Sequence, residues 1–219
     1  MKNYKLNEPL VYIHIYKTAG STVRKIIWKW LFKEKKIIEH YVHLNKITCT
    51  SETISNLEKD GIKNPIFYGH FDYSGNYEFP QTCNQFITTL RNPFYQDVSA
   101  YFYGVQTGDK NCINIDLRNY LMKSDMYYGF SKVFTKQKLN LNNYKDVINK
   151  YFVHIGVVEK MEENLIKLSN IFQKQLSEED KKVRERTSNY FCEIPYDLID
   201  LHRKNNELEY AIYDYVASC

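Results

Sequence analysis

The chain is 219 residues long, 43% hydrophobic and 26% charged, which suits one α/β domain with a full core and leaves too little for two. Its formal charge of +4 and pI near 8.6 suit an anionic ligand and are too weak to indicate nucleic acid. No stretch reaches membrane-spanning length and no N-terminal run has signal-peptide form, so the chain as given reads as soluble and cytoplasmic; a Golgi location or an anchored precursor is left open.

Leu10-Val11-Tyr12-Ile13-His14-Ile15-Tyr16 is rich in β-branched and aromatic residues and predicts a strand. Lys17-Thr18-Ala19-Gly20-Ser21-Thr22 follows as a small-residue loop, and Val23, Ile26, Ile27, Trp30 and Leu31 then recur at helical spacing. This helix is expected to reach Phe32 and end at the basic run 33–36. A second helix is predicted over 50–59. Gly61 and Pro65 punctuate the chain before Ile66-Phe67-Tyr68, a short strand that delivers Gly69-His70-Phe71-Asp72, with a turn-rich loop over 73–80. A third strand covers 85–90 and stops at Arg91-Asn92-Pro93; Pro93 opens a helix with Val98, Tyr101 and Phe102 on its apolar side.

The pattern weakens over 104–150, an insert that reads either as a substrate-facing lid or as irregular packing. Residues 151–158 return to strand character, 159–172 form an amphipathic helix, and 177–188 are charged and exposed. Pro195 opens a final helix carrying Leu198, Leu201, Leu208, Ala211, Ile212 and Tyr215. No repeat or low-complexity linker divides residues 1–219. Cys49, Cys83, Cys112, Cys192 and Cys219 are scattered with no C-x-x-C pair, so reduced thiols are expected and no metal-ligand spacing is visible.

Strand, small-residue loop and helix in that order bring unpaired N–H groups and the positive end of a helix macrodipole to the loop, an arrangement that binds anions. Lys17 adds a charge, Gly20 lets the main chain come close, and Ser21 and Thr22 can cap the helix or bind an oxyanion. The pattern G-x-x-x-x-G-K-[ST] is absent and the lysine precedes the glycine, so this is not a Walker A loop. An ordinary strand-to-helix turn with a capping serine explains the same residues equally well. Arg91 falls at the C-terminal end of a strand, the edge where open α/β sheets bind ligands, with Ser99 two helical turns further on.

Taken together, Tyr16-Lys17-Thr18-Ala19-Gly20-Ser21-Thr22 and Leu90-Arg91-Asn92-Pro93 with Ser99-Ala100-Tyr101 resemble the two nucleotide-binding motifs of sulfotransferases. The resemblance is greatest to the carbohydrate branch containing heparan sulfate 2-O-sulfotransferase and uronyl 2-O-sulfotransferase. Tyr68-Gly69-His70, the stretch 151–159 ending in Gly156-Val157-Val158-Glu159, and Arg184-Glu185-Arg186-Thr187 are similar in order and spacing. The resemblance implies a P-loop-kinase-like, three-layer α/β domain with a central, mostly parallel sheet flanked by helices. It also implies 3′-phosphoadenosine 5′-phosphosulfate (PAPS) as donor and 3′-phosphoadenosine 5′-phosphate (PAP) as product. Carried over by position, Lys17, Thr18, Ala19, Gly20, Ser21 and Thr22 hold the 5′-phosphosulfate, Arg91 and Ser99 hold the 3′-phosphate, and Arg184, Arg186 and Thr187 form the adenosine-side flap. Two positions depart from the pattern. Tyr16 stands where the family usually has Pro, which changes loop stiffness; Gln96 stands where an Arg is common, so a helix ion pair or a donor contact is missing.

The implied reaction is in-line sulfuryl transfer to a hydroxyl of a carbohydrate acceptor, with neither metal nor nucleic acid. Lys17 would stabilise the leaving phosphate oxygen, and His70, matching a family histidine implicated as base, would take the acceptor proton. Without the resemblance, His70 reads first as a hydrogen-bonded structural histidine. His14 and His154 read as packed or hydrogen-bonded core residues, and Asp72 either orients His70 or caps a loop. Tyr101, Tyr103, Tyr127 and Tyr128 are available to stack on adenine or a sugar ring. Two other readings stay open. One is a kinase-like phosphotransferase, disfavoured because neither a Walker A loop nor an Asp-bearing magnesium strand is evident; the other is a non-catalytic nucleotide or anionic-glycan binder. Acceptor choice would lie in the 104–150 insert, and the oligomeric state is left open.

Overall fold

A computed structural model describes residues 1–31, 37–41, 51–62, 64–71, 83–123, 125–126, 128–183 and 190–219. The chain runs β1 (Leu10–Ile13), α1 (Gly20–Leu31), β2 (Ile37–Tyr41), α2 (Ser51–Lys59), β3 (Ile66–His70), β4 (Gln85–Leu90) and α3 (Pro93–Thr107). Four short helices follow: α4 (Lys110–Ile113), α5 (Leu117–Met122), α6 (Phe130–Val133) and α7 (Tyr144–Tyr151). Then come β5 (Phe152–Val157), α8 (Met161–Phe172), α9 (Glu178–Lys182), α10 (Ile199–Asn205) and α11 (Glu207–Ala217).

The five strands form one sheet in the order β2-β3-β1-β4-β5, and every neighbouring pair is parallel. Parallel neighbours need crossovers, and crossover helices cover both faces, so such strands are apolar on both sides. All four residues of β1 and all six of β4 are buried. Successive side chains take opposite faces. Leu10 and Tyr12 pack with Val23, Ile26 and Ile27 of α1 and Leu165 and Leu168 of α8. Val11 and Ile13 join Phe67, Phe86 and Ile155 against Ile54 of α2, Ile148 of α7 and Ile212 of α11. The outcome is the three-layer α/β architecture expected, with a parallel central sheet of the P-loop-like kind. Among the described residues no helix is long and apolar enough to cross a membrane.

Several boundaries differ from the sequence reading. β1 ends at Ile13, so His14, Ile15 and Tyr16 belong to the loop. The strand β2 was hidden behind the basic run, because five residues beside a stretch of lysines show no clear alternation. Within the insert, Phe130, Val133, Phe134, Val147 and Ile148 join the core on the α11 side. Asp180 lies in the charged stretch but is buried, where it closes a capping box with Ser177 and pairs with Lys29 at 2.9 Å. The last helix is two helices broken at Asn206, and Leu201 is exposed.

α3 is built as its sequence prescribes. The Asn92 side chain accepts from Phe94 N–H, Pro93 opens the first turn, and Gly108 closes the helix at φ 76°. It heads a third apolar cluster with Leu117, Leu121, Leu198 and Tyr210. His202 of α10 ties it down by bonding Asp97 at 3.1 Å and the Tyr210 hydroxyl at 3.0 Å.

On the far side of the sheet, His154 of β5 meets Asn164 of α8 at 2.6 Å, both side chains buried. Burial pushes the His154 imidazole down to about 4, although the bond to Asn164 opposes the shift. An unfolded histidine titrates near 6.5, so between pH 6.5 and 4 the unfolded chain takes up a proton that the folded chain refuses, and stability falls as pH falls through that window. Urea unfolding at pH 7 and pH 5 is expected to show the wild type losing about 2 kcal/mol more than His154→Gln over that interval. Equal losses in the two proteins would exclude His154 as the cause.

Candidate functional site

β1 sits between β3 and β4, with Ile13 level with Gly69 on one side and Thr88 on the other. The C-terminal ends of these three strands therefore open onto one edge. The chain runs from β1 to strands on one side and crosses to β4 on the other, so the loops after β1 and β4 flank the switch point where open parallel sheets bind ligands. His70 ends β3, the 14–19 loop leaves β1, and Arg91 follows β4. The sequence-predicted residues Lys17 to Thr22, His70 and Arg91 are thus brought to a single edge.

The loop is held in an uncommon backbone shape. Lys17 has φ 62° and Ala19 has φ 56°, left-handed values that cost an L-residue about 1–2 kcal/mol each. Local bonds compensate. The Thr18 hydroxyl donates to Ile15 O at 2.9 Å, and Thr22 N and Val23 N donate to Ala19 O at 3.0 and 3.3 Å. Thr18 is 1% exposed, so its hydroxyl serves the loop itself and only its main chain is left to face a ligand. Gly20 and Ser21 open α1, where the helical pattern supplies no carbonyl for their N–H groups. The need for glycine at 20 comes from a neighbour: a Cβ there would lie 1.9 Å from His14 Cδ2.

His14 fills that space and extends a ring stack along the edge. Its Nδ1 shares a 2.6 Å hydrogen bond with the Tyr68 hydroxyl, and its ring lies 4.2 Å from that of His70 at 26°. The pair holds His70 in orientation at the strand end. His14 is thus hydrogen-bonded, as read from the sequence, but it lies in the site and is partly exposed. On the other side of the loop, Lys17 Nζ sits 4.3 Å from the centre of the Tyr103 ring.

Gln96, the departure noted in the sequence, has a clear task. Its buried carboxamide donates to Tyr16 O and to Tyr128 O, each at 3.0 Å, joining the loop after β1 to the insert. A guanidinium in the same place would bring a buried charge to two carbonyls. The missing charge is visible in the sequence; the bridge arises only in the fold, because the three residues are far apart in the chain.

Around Arg91, Glu159 does similar work. Its carboxylate accepts from Asn92 N–H at 3.0 Å and from the Tyr213 hydroxyl at 3.2 Å, fixing the turn after β4 from the end of β5. Arg91 donates to the Tyr190 hydroxyl at 3.4 Å. Ser99 lies within α3 at 2% exposure. Arg184, Arg186, Thr187, Asp72 and Tyr127 lie outside the described residues. Among the described residues no three His, Cys, Asp or Glu side chains are grouped to hold a metal ion.

The edge therefore presents a cation, helix N–H groups and a histidine at one end of the switch point and an arginine at the other, a layout suited to a ligand with two separated anionic groups. No family model matches the chain, and no curated protein sequence matches it. Solved structures do. Mouse sulfotransferase SULT7A1 complexed with PAP superposes with a TM-score of 0.50 at 13% identity, over 82% of this chain, which spans 63% of the length of that one. A sulfotransferase from Alicyclobacillus acidocaldarius superposes with a TM-score of 0.52 at 12% identity, over 96% of both chains. At these identities the likeness is one of fold, and this chain has the architecture of sulfotransferases of known structure.

Proposed function

We propose that the protein is a PAPS-dependent sulfotransferase acting on a carbohydrate hydroxyl. The observation that carries this reading is the joint placement of the Lys17 loop, His70 and Arg91 on one sheet edge of a fold shared with a PAP-bound sulfotransferase. The carbohydrate acceptor rests on the resemblance of the sequence motifs to the 2-O-sulfotransferase branch.

PAPS carries a phosphosulfate and a 3′-phosphate at opposite ends of one nucleoside. The 5′ end suits Lys17, the N–H groups that open α1 and the hydroxyl of Ser21; Thr18 and Ala19 contribute main chain, and the buried Thr22 closes the turn through its N–H on Ala19 O. The 3′-phosphate falls to the Arg91 guanidinium; Ser99, buried within α3, is assigned there by the sequence resemblance alone. The sequence resemblance alone assigns Arg184, Arg186 and Thr187 to the adenosine side. The acceptor oxygen attacks sulfur as the bond from sulfur to the bridging phosphate oxygen breaks, and PAP departs with that electron pair. Lys17 neutralises the charge gathering on the bridging oxygen, while His70, steadied by the His14 ring, receives the proton of the acceptor hydroxyl. The chemistry asks for no metal ion.

Thermal-shift titration separates this from the kinase reading. At about 100 times its dissociation constant PAP is expected to add roughly 2.7 kcal/mol of stability, with ADP and ATP giving far less. A preference for ATP would revive phosphotransfer, and no response to any nucleotide would favour a non-nucleotide role. Arg91→Ala should weaken PAP about 10- to 100-fold, the value of a charge-assisted contact; unchanged affinity would remove Arg91 from the 3′-phosphate. His70→Ala should keep PAP affinity and lower transfer about 10²- to 10⁴-fold, and full activity in that variant would eliminate His70 as the base.

A further inference from the structure

Three tyrosines from separate parts of the chain meet beside Lys17 and His70. Tyr16 comes from the loop itself, Tyr103 from α3 and Tyr128 from the insert. The Tyr16 and Tyr128 rings lie 4.4 Å apart at 30°, Tyr103 meets Tyr16 edge-on at 5.5 Å, and Tyr16 lies 6.1 Å from His70. All three are partly exposed. The arrangement is enforced from behind by the Gln96 carboxamide, which holds the main-chain carbonyls of both Tyr16 and Tyr128.

We infer that Tyr16, Tyr103 and Tyr128 form the wall against which the acceptor sugar lies, with Gln96 as the positioning residue that sets its spacing; this rests on the sulfotransferase reading above. The wall starts one residue before the lysine assigned to the donor and reaches the histidine assigned to the acceptor proton. A ring seated on it has its hydroxyls within the space between those two groups. A pyranose presents an apolar C–H face to an aromatic ring and hydroxyls around its rim, and tyrosine matches both with a flat face and a polar tip. Burial, with Tyr128 and Tyr103 adding to it, pushes the Tyr16 hydroxyl well above its ordinary range, so it stays a neutral donor and acceptor suited to sugar hydroxyls. A Pro at position 16 would supply no such ring.

The test uses the full chain, PAPS, and two acceptor probes: a 2-O-desulfated heparin oligosaccharide and 4-nitrophenol. Transfer to the oligosaccharide is expected. Tyr128→Ala should raise its KM about tenfold while PAP affinity, read by thermal shift, stays within about twofold; Tyr128→Phe should remain near wild type. Tyr128→Leu retains apolar bulk without an aromatic face and should behave as the Ala variant, which guards against a packing defect in either protein. Gln96→Leu, which frees the Tyr16 carbonyl of the donor loop as well as that of Tyr128, should raise the same KM and weaken PAP with it. An oligosaccharide KM that Tyr128→Ala and Tyr128→Leu leave unchanged overturns the wall, as does transfer to 4-nitrophenol alone or to neither probe by a protein that binds PAP. Wild-type protein that gains no stability from PAP and does not consume PAPS removes the donor reading and the wall together.

Discussion

Everything at the candidate site depends on β1 being a central, fully buried strand with parallel partners on both sides. Because Leu10–Ile13 is apolar on both faces, it can only lie between helical layers. Because its neighbours run the same way, the loops that leave β1, β3 and β4 emerge together. Tyr12 reinforces this from within: its hydroxyl lies 3.4 Å from both Gly20 O and Thr89 Oγ1, and Thr88 Oγ1 donates to Ile13 O at 2.7 Å. A strand that reads as plain core thereby fixes the start of α1 relative to the end of β4.

The loop after β1 is where that rigidity is spent. Two left-handed residues without glycine's freedom turn the chain so that the N–H groups opening α1 face the sheet edge. Such a backbone persists only when its surroundings over-determine it. Here Thr18, the Ala19 carbonyl, the Gln96 carboxamide and the His14 ring each constrain one part of the turn. Preorganisation of this kind suits a site that must meet concentrated negative charge without rearranging, since donors already in place need no reordering as charge moves.

Local signals were legible in the sequence where chemistry and spacing coincide. The strand-loop-helix around Lys17, the stop at Arg91-Asn92-Pro93, the short strand at 66–68 that delivers His70 and the return to strand character over 151–158 all follow from β-branched runs, a proline and helical periodicity, although the strands span 66–70 and 152–157. β2 was not legible, since an edge strand of five residues beside lysines gives no periodic pattern. The left-handed Lys17 and Ala19 were hidden too, because the residues usually chosen for that conformation are Gly and Asn. Gln96 and Glu159 were visible as departures or motif residues, but their partners Tyr16, Tyr128, Asn92 and Tyr213 become neighbours only through the fold. The wide spacing of Tyr16, Tyr103 and Tyr128 likewise leaves no trace in a linear reading.

The missing side chain at Gly20 couples two positions that differ in kind. His14 occupies the volume that any larger residue at 20 would need, so neither site can vary without the other feeling it. Enlarging position 20 becomes tolerable only after position 14 has shrunk, and a smaller residue there withdraws the ring against which His70 rests. The route of neutral drift is therefore closed in one direction: a related sequence with a larger residue at 20 should also have lost the ring at 14, and must steady the His70 ring in another way.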